Sequence, residues 1–494
     1  MSTPYSGKME LHIPEPLLTT LQEIGNIAGE NAYLVGGSVR DLLLERENLD
    51  IDIVVVGDGI QLAKEMHRVW KGKIQVHHQF GTASVTPENP DKPKVDFVTA
   101  RCETYNKSGT LPKVVPGSIT DDLHRRDFTI NALAMQIDTS NFGTIIDKVS
   151  GIGDLRSRTI QVLHDKSYTD DPTRIFRAIR YACRYSFNIA ESDCNLINDA
   201  IPYLSDISGE RIRNEIDRVL LEPNAPKILN ELAKFGILSV ISPHWKIPPS
   251  FPEDFQLAQK AISWSSQSLE NDSICSNMIL WMTLFGRHEK QGIPTYIIEY
   301  LCFRLVLEHK LVKFFGDSKH RPSTFSSKEL TKIQITNVGI DLSENVLLEH
   351  HNGKWCIIDY EKKKTIVYEE GIMYKIRSPF TTLQCLYSVL DSLNATITSS
   401  EIYRILKPYP LEALVLSISD PNISKIQYDN INEFLLTLRF IQPIISGNDL
   451  IEWGEKPGKN FESILKTIFS EQLDGNIRSK SEAYSYFKQK TDIG

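Results

Sequence analysis

The stretch "YLVGGSVRDLLLERENLDIDIVVVG", residues 33–57, constrains this chain more than any other. An apolar run stops at Gly36-Gly37, a short amphipathic segment follows, and the β-branched run "DIDIVVV" opens on two acids one residue apart. That succession reads as strand, glycine turn, helix, strand, and requires a sheet with helices packed on it. Alternate strand residues share a face, so Asp50 and Asp52 project two carboxylates side by side. Like charges at that separation repel unless a cation lies between them. Mg2+ suits the pair, because it takes oxygen ligands and shares them with substrate phosphates. A solvated strand end bearing two acids is the alternative. Gly36-Gly37 lets the backbone approach a phosphate ahead of a helix, and Arg40 adds a planar cation suited to phosphate oxygens. The plainer readings are a strand-to-helix turn, and an ion pair of Arg40 with Asp41 or Asp50.

Further along, the pattern predicts helices over 16–30, 38–47 and 59–70, with strands at "KIQVHH", "TASVTP" and "KVDFVTA". From about residue 170 it turns helical, in "DPTRIFRAIRYACRY", "SGERIRNEIDRVLLE" and "APKILNELAKFGIL". Residues 333–377 alternate in strand fashion around Asn352-Gly353, a hairpin-turn pair, and predict a small β-meander among helices. The fold class expected is α+β: an N-terminal mixed-sheet domain, then a largely α-helical region with a small β insert. A chain of 494 residues has room for two to four domains.

Composition excludes several functional classes. Seven cysteines, an odd number without a CxxC pair, argue for reduced thiols in a cytoplasmic protein and against a disulfide scaffold or a zinc site. The opening "MSTPYSGKMELHIPEPLL" lacks the basic start and apolar core of a secretory signal. No run approaches the ~18 apolar residues of a membrane span. With a net charge of −8, any nucleic-acid surface has to be local.

GG-x-x-RD followed by D-x-D is specific enough to carry a comparison. "LVGGSVRDLLL…DIDIVV" resembles the signature of the class II tRNA nucleotidyltransferases, which include CCA-adding, CC-adding and A-adding enzymes and bacterial poly(A) polymerases. "DLHRRDFTINALA" (122–134) and "GERIRNEI" (209–216) resemble further blocks of that family, and the likeness covers about the first 240 residues. It implies a nucleotidyltransferase head over 1–155 and a nucleobase-reading neck over 156–225. A helical body over 226–332, the insert at 333–377 and a tRNA-contacting tail over 378–494 complete the expected division.

Residue by residue, the resemblance implies that Asp50 and Asp52 hold Mg2+ and that Gly37 and Arg40 contact the nucleotide. Asp96, at the end of a neighbouring strand, is a candidate third metal carboxylate; a solvated strand end is the alternative. Arg125, Arg126 and Asp127 face the sugar and triphosphate, and Asn131 adds a polar contact. Adjacent arginines point apart, so one of the two, Arg126, is expected to reach phosphate. "DDPTRIFRAIR" (170–180) resembles the family's base-reading motif, with Asp171 and Arg174 as the reading pair. Cytosine and adenine both place an amino donor beside a ring-nitrogen acceptor. A carboxylate accepts from the first while a guanidinium donates to the second, and uracil and guanine present the reverse order. Asp171-Pro172 is also a good helix start, and the two roles are compatible. Arg177 and Arg180 match nucleotide-contacting positions. Each three-residue step turns about 60° back around a helix, so Arg177 is better placed than Arg180.

Two departures from the family stand out. Asp170 replaces the usual glutamate, and Gln161 occupies the arginine position of an interdomain motif otherwise matched by Asp147 and Gly151. The implied reaction is two-metal phosphoryl transfer: the 3′-hydroxyl of a tRNA end attacks the α-phosphate of CTP or ATP, and pyrophosphate leaves. Arg174, Arg177, Arg180, Arg184, Arg211, Arg213 and Arg218 supply local positive charge for RNA. CCA addition is the first expectation, then A-only, CC-only and poly(A) addition. Residues 100–123, "ARCETYNKSGTLPKVVPGSITDDL", have a form found in A-adding members too. A catalytically silent RNA-binding protein is the non-enzyme alternative, and the intact Asp50/Asp52 pair argues against it.

Overall fold

The chain runs through alternating short strands and helices for its first 150 residues because apolar residues recur every second and then every third or fourth position. The structure is a computed structural model that describes residues 5–8, 11–46, 50–104, 113–242, 245–269, 272–285, 295–305, 307, 310–313, 346–351, 354–359, 364–369, 372–377 and 379–491. It divides into two units, residues 1–243 and 244–494.

In the first unit β1 (Tyr5–Lys8) leads to α1 (Glu15–Ala28), and β2 (Ala32–Val35) to α2 (Gly37–Leu43). After β3 (Ile51–Val55) and α3 (Gly59–Trp70) come β4 (Lys73–His77), β5 (Thr82–Thr86) and β6 (Val95–Thr99). A ribbon of β7 (Arg101–Thr104) and β8 (Lys113–Pro116) precedes α4 (Ile119–His124), β9 (Leu133–Gln136) and β10 (Thr144–Asp147). Then follow α5 (Gly151–Ser157), α6 (Ser167–Asp170), α7 (Thr173–Tyr185), α8 (Glu191–Ala200), α9 (Gly209–Leu220) and α10 (Ala225–Lys234).

The main sheet has eight strands in the order β1-β10-β9-β2-β3-β6-β5-β4. All neighbours are antiparallel except β3 and β6, which run parallel and put Asp52 directly beside Asp96. One face is covered by α3, whose Ile60, Ala63, Met66 and Trp70 are buried at helical spacing. Asp58 starts that helix by accepting from the backbone N–H groups of Ile60 and Gln61. Gly25 in α1 lies so close to the end of β9 that a Cβ would stand 1.8 Å from the Ile137 carbonyl oxygen.

In the second unit, helices at Phe251–Ser268, Ser276–Leu284 and Thr295–Arg304 precede a five-stranded antiparallel sheet. Its order is Lys310–Lys313, Ile372–Arg377, Lys364–Glu369, Lys354–Asp359, Val346–His351. The β-meander read from alternation is present, with one strand more, contributed by 310–313 upstream of the expected insert. Four residues are too short to show a strand period. The Asn352-Gly353 pair, residues 333–345, and residues 105–112 of the 100–123 segment lie outside the described residues. Helices then run from Pro379–Val389 to Lys480–Thr491. Among the described residues no helix is long and apolar enough to cross a membrane.

Candidate active site

The sequence motifs meet in one cavity of the first unit, about 700 Å³ in volume. Gly37, Arg40, Asp50, Asp52, Arg125, Arg126, Asp127, Asn131, Asp171, Arg174, Arg177 and Arg180 all line it; of the expected site residues only Asp96 does not. The lining holds nine arginines against seven carboxylates, which gives local positive charge within a chain of net charge −8. Arginine's planar fork suits phosphate better than a lysine point charge does.

The glycine pair divides its work. Gly36 has φ +68°, and a Cβ there would meet the Arg126 guanidinium at 2.3 Å, so only glycine fits. Gly37 opens α2, and Ser38 ties the turn to the next strand by donating to the Asp50 carbonyl at 2.6 Å. Asp50 is exposed just before β3, and Asp52 is half-buried within it. Burial pushes the Asp52 carboxyl above its ordinary range, and the Asp96 and Asp50 carboxylates add to that against the pull of Arg126. A pair of oxygen donors strained by their own charge is the chemistry a hard divalent cation relieves, so the residues fit such an ion.

Asp96 is not brought in as a third ligand. Its carboxylate is taken up by the Ser84 hydroxyl and by Lys94 at 3.0 Å, and it does not line the cavity although it stands beside Asp52 on the neighbouring strand. Among the described residues no group of three or more His, Cys, Asp or Glu is placed to hold a metal.

The "RRD" block departs from expectation. Arg125 and Arg126 both face the cavity, because Asp122, fully buried in α4, clamps them from three and four residues upstream. One oxygen accepts from Arg125 at 2.5 and 2.9 Å, the other from Arg126 at 2.9 and 3.3 Å. The helix ends at Arg125, so the two side chains do not splay as they would mid-helix. Glu103 on the β7–β8 ribbon also accepts from Arg125, at 3.1 Å, and from Arg101, at 3.0 Å.

Arg40 lines the cavity and is also engaged within the protein. Its guanidinium, 4 % exposed, forks onto Asp41 at 2.9 Å and donates to the Asn131 amide oxygen at 2.5 Å. It also lies over the rings of Tyr181 and Tyr185, at 5.4 and 4.6 Å. The ion pair with Asp41 therefore forms, and the residue ties α2 to α7. Asn131 passes the link on by donating to Asp127 at 2.9 Å, and Asp127 receives Arg177 at 2.7 and 2.5 Å. Burial alone would raise Asp127, but the Arg177 guanidinium and the Asn131 amide outweigh it and hold its carboxyl at about 2. Arg177, expected as a nucleotide ligand, is thus engaged as the partner of a buried carboxylate. Arg180 and Arg184 both donate to Glu222, at 3.1 and 3.4 Å.

The base-reading pair sits where α7 begins. Asp171 is extended and accepts at one oxygen from the Thr173 backbone and hydroxyl, so it does cap the helix as its sequence allows. Arg174 donates to the Ser167 hydroxyl at 2.5 Å and to the Arg125 carbonyl at 3.2 Å, which keeps N–H donors over. Asp147, from the interdomain motif, caps α5 by accepting from Gly151 and Ile152. Gln161, at the departed arginine position, takes part through its backbone carbonyl, which accepts from Thr129 at 2.9 Å.

Residues 32–161 match the family model of the poly A polymerase head domain, and residues 186–247 match the probable RNA and SrmB-binding site of polymerase A. The CCA-adding enzyme of Leuconostoc mesenteroides is 30 % identical over 419 residues, 81 % of this chain and 89 % of that enzyme. The chain belongs to the class II tRNA nucleotidyltransferases. The A-adding tRNA nucleotidyltransferase of Halalkalibacterium halodurans is 27 % identical over 96 % of this chain and 92 % of its own length. That of Geobacter sulfurreducens is 39 % identical over 261 residues, 52 % of this chain but 29 % of that relative. A solved CCA-adding enzyme in an apo form superposes with a TM-score of 0.59 at 25 % identity, covering 97 % of this chain and 96 % of its own. Divalent-metal use is general in the family.

Sequence reasoning missed Asp122 and Glu103 as anchors of the arginines, whereas the Arg40–Asp41 pair was among its readings. Asp122 had a signal: an acid three and four residues ahead of two arginines on one helix.

Proposed function

We propose that this protein adds C, A or both from CTP and ATP to the 3′ end of tRNA, without a nucleic-acid template. The observation that carries the reading is one cavity lined together by the Asp50/Asp52 pair, the Arg125/Arg126 pair and the Asp171/Arg174 pair. In it Arg125 and Arg126, steadied by Asp122, receive the triphosphate. Asp171 accepts the exocyclic amino group of cytosine or adenine, and Arg174 donates to the neighbouring ring nitrogen. Asp50 and Asp52 would hold Mg2+, which would supply charge stabilisation for the attacking hydroxyl and the leaving oxygens. The RNA is tRNA and the compartment the cytoplasm, in keeping with an odd number of cysteines and no CxxC pair.

Addition of A alone is the second reading, favoured by the A-adding relative that aligns over nearly the whole chain. Incubation with tRNAs ending before the CCA, after C and after CC, each with labelled CTP or ATP singly, separates the readings. Stepwise use of both nucleotides supports full CCA synthesis, and ATP incorporation onto the CC end alone supports the A-adding reading. Equal use of UTP and GTP would remove the base-reading assignment. No incorporation of any nucleotide would leave the silent RNA-binding protein.

A further inference from the structure

Asp171 is held from behind. Three donors converge on its Oδ1: the Thr173 backbone N–H at 3.1 Å, the Thr173 hydroxyl at 2.7 Å and the Arg211 guanidinium at 2.7 Å. Among the described residues nothing donates to Oδ2, while Asp171 lines the cavity with 21 % of its side chain exposed. Arg211 is not part of that lining. It stands in the first turn of α9, where the Ser208 hydroxyl accepts its backbone N–H at 3.4 Å, and reaches Asp171 across forty residues of chain.

We propose that Arg211 is a specificity-determining positioning residue, which acts through Asp171 to exclude guanine. The inference rests on the base-reading role of Asp171 given above. A carboxylate with both oxygens open is a good two-pronged acceptor for adjacent N–H donors. Guanine offers such a pair, its ring N1–H and its exocyclic amino group, and would satisfy an unencumbered aspartate well. With Oδ1 occupied by Arg211 and Thr173, only Oδ2 faces the base. One acceptor beside the Arg174 donors matches the amino group and ring nitrogen of cytosine or adenine, and leaves one guanine N–H without a partner. A buried polar group left unpaired is what gives a site strong discrimination. Thr173 alone does not achieve this, because its bonds are local to the helix start and turn with it. Arg211 ties the plane of the carboxylate to a second helix.

The test is the ratio of kcat/KM for the nucleotide the wild type incorporates, ATP or CTP, to that for GTP, measured with the full chain and tRNA ending in CC. A ratio taken on one preparation does not depend on the fraction folded. Arg211→Ala should lower it by about ten- to a hundred-fold, the loss expected when one charge-assisted hydrogen bond stops discriminating. The gain should be in GTP use relative to ATP or CTP, a ratio in which any uniform loss of tRNA affinity cancels, and Arg211→Lys should restore most of the ratio by returning one donor to Oδ1. Equal loss for both nucleotides on Arg211→Ala, or an unchanged ratio, overturns the proposal. Asp171→Ala is the companion variant. If it too leaves the ratio unchanged, the base-reading role itself fails; if it collapses the ratio while Arg211→Ala does not, only the role of Arg211 fails.

Discussion

Replacing Asp127 by asparagine tests whether the cavity wall is held by a buried charge pair. Asp127 is 9 % exposed, and its two oxygens serve Phe128 N–H and Asn131 on one side and Arg177 on the other. Asparagine keeps the shape and one acceptor, but turns an NH2 group toward the Arg177 donors. The carboxyl is lowered from 3.8 to about 2, which corresponds to roughly 2–3 kcal/mol of folded-state stabilisation. The loss in Asp127→Asn at pH 7 should therefore be about 2–4 kcal/mol, the upper part reflecting the opposed donors. The folded pKa lies below the unfolded one, so the contribution is complete above the unfolded value near 4 and is lost as pH falls through about 2. Urea denaturation of wild type and variant, with amide exchange of residues 173–185 to report on α7, should show a constant gap from pH 7 to about 5. The gap should narrow only below about pH 4. A gap that closes by pH 5, or one under about 0.5 kcal/mol at neutral pH, would refute the account of Asp127 as an ionised anchor.

Asp52→Ala should abolish nucleotide addition while leaving tRNA binding in a filter or mobility assay within about twofold; parallel loss of binding would assign Asp52 a structural role instead. Gly36→Ala forces a side chain into a backbone at φ +68° and against Arg126, so it should cost at least about 1–2 kcal/mol on denaturation and raise KM for ATP. Arg40→Lys removes the fork onto Asp41, and should lower stability by about 1.5–3 kcal/mol with KM for ATP little changed. A KM rise of tenfold or more with stability intact would return Arg40 to the triphosphate.

The elements nearest the catalytic motifs were legible because each follows from local chemistry. Apolar alternation marks β3, the apolar residues of "GIQLAKEMHRVW" mark α3, and Asp171-Pro172 marks the start of α7. β1 and the strand at Lys310–Lys313 were not legible, since four residues do not establish a period and their partners lie far along the chain. Listing the cavity residues was also within reach, because the motifs carry them. Their roles divided differently: Arg40, Arg177 and Arg180 are engaged by Asp41, Asp127 and Glu222.

What the sequence determined by itself is the chemistry on offer: paired acids on a strand, a glycine turn, arginines in short blocks and an aspartate at a helix start. Spacing along one element decides which face a side chain takes, and that is enough to group these residues. Tertiary structure decided which of them remain available. An arginine's partner is set by whatever carboxylate the fold brings within about 3 Å, and Asp122, Asp127 and Glu222 are brought there by α4, by the turn after it and by the turn after α9. Asp171 shows both contributions at once. Its capping role is written in its neighbours Pro172 and Thr173, whereas the Arg211 contact that leaves one oxygen facing the cavity exists only because α9 packs beside the start of α7.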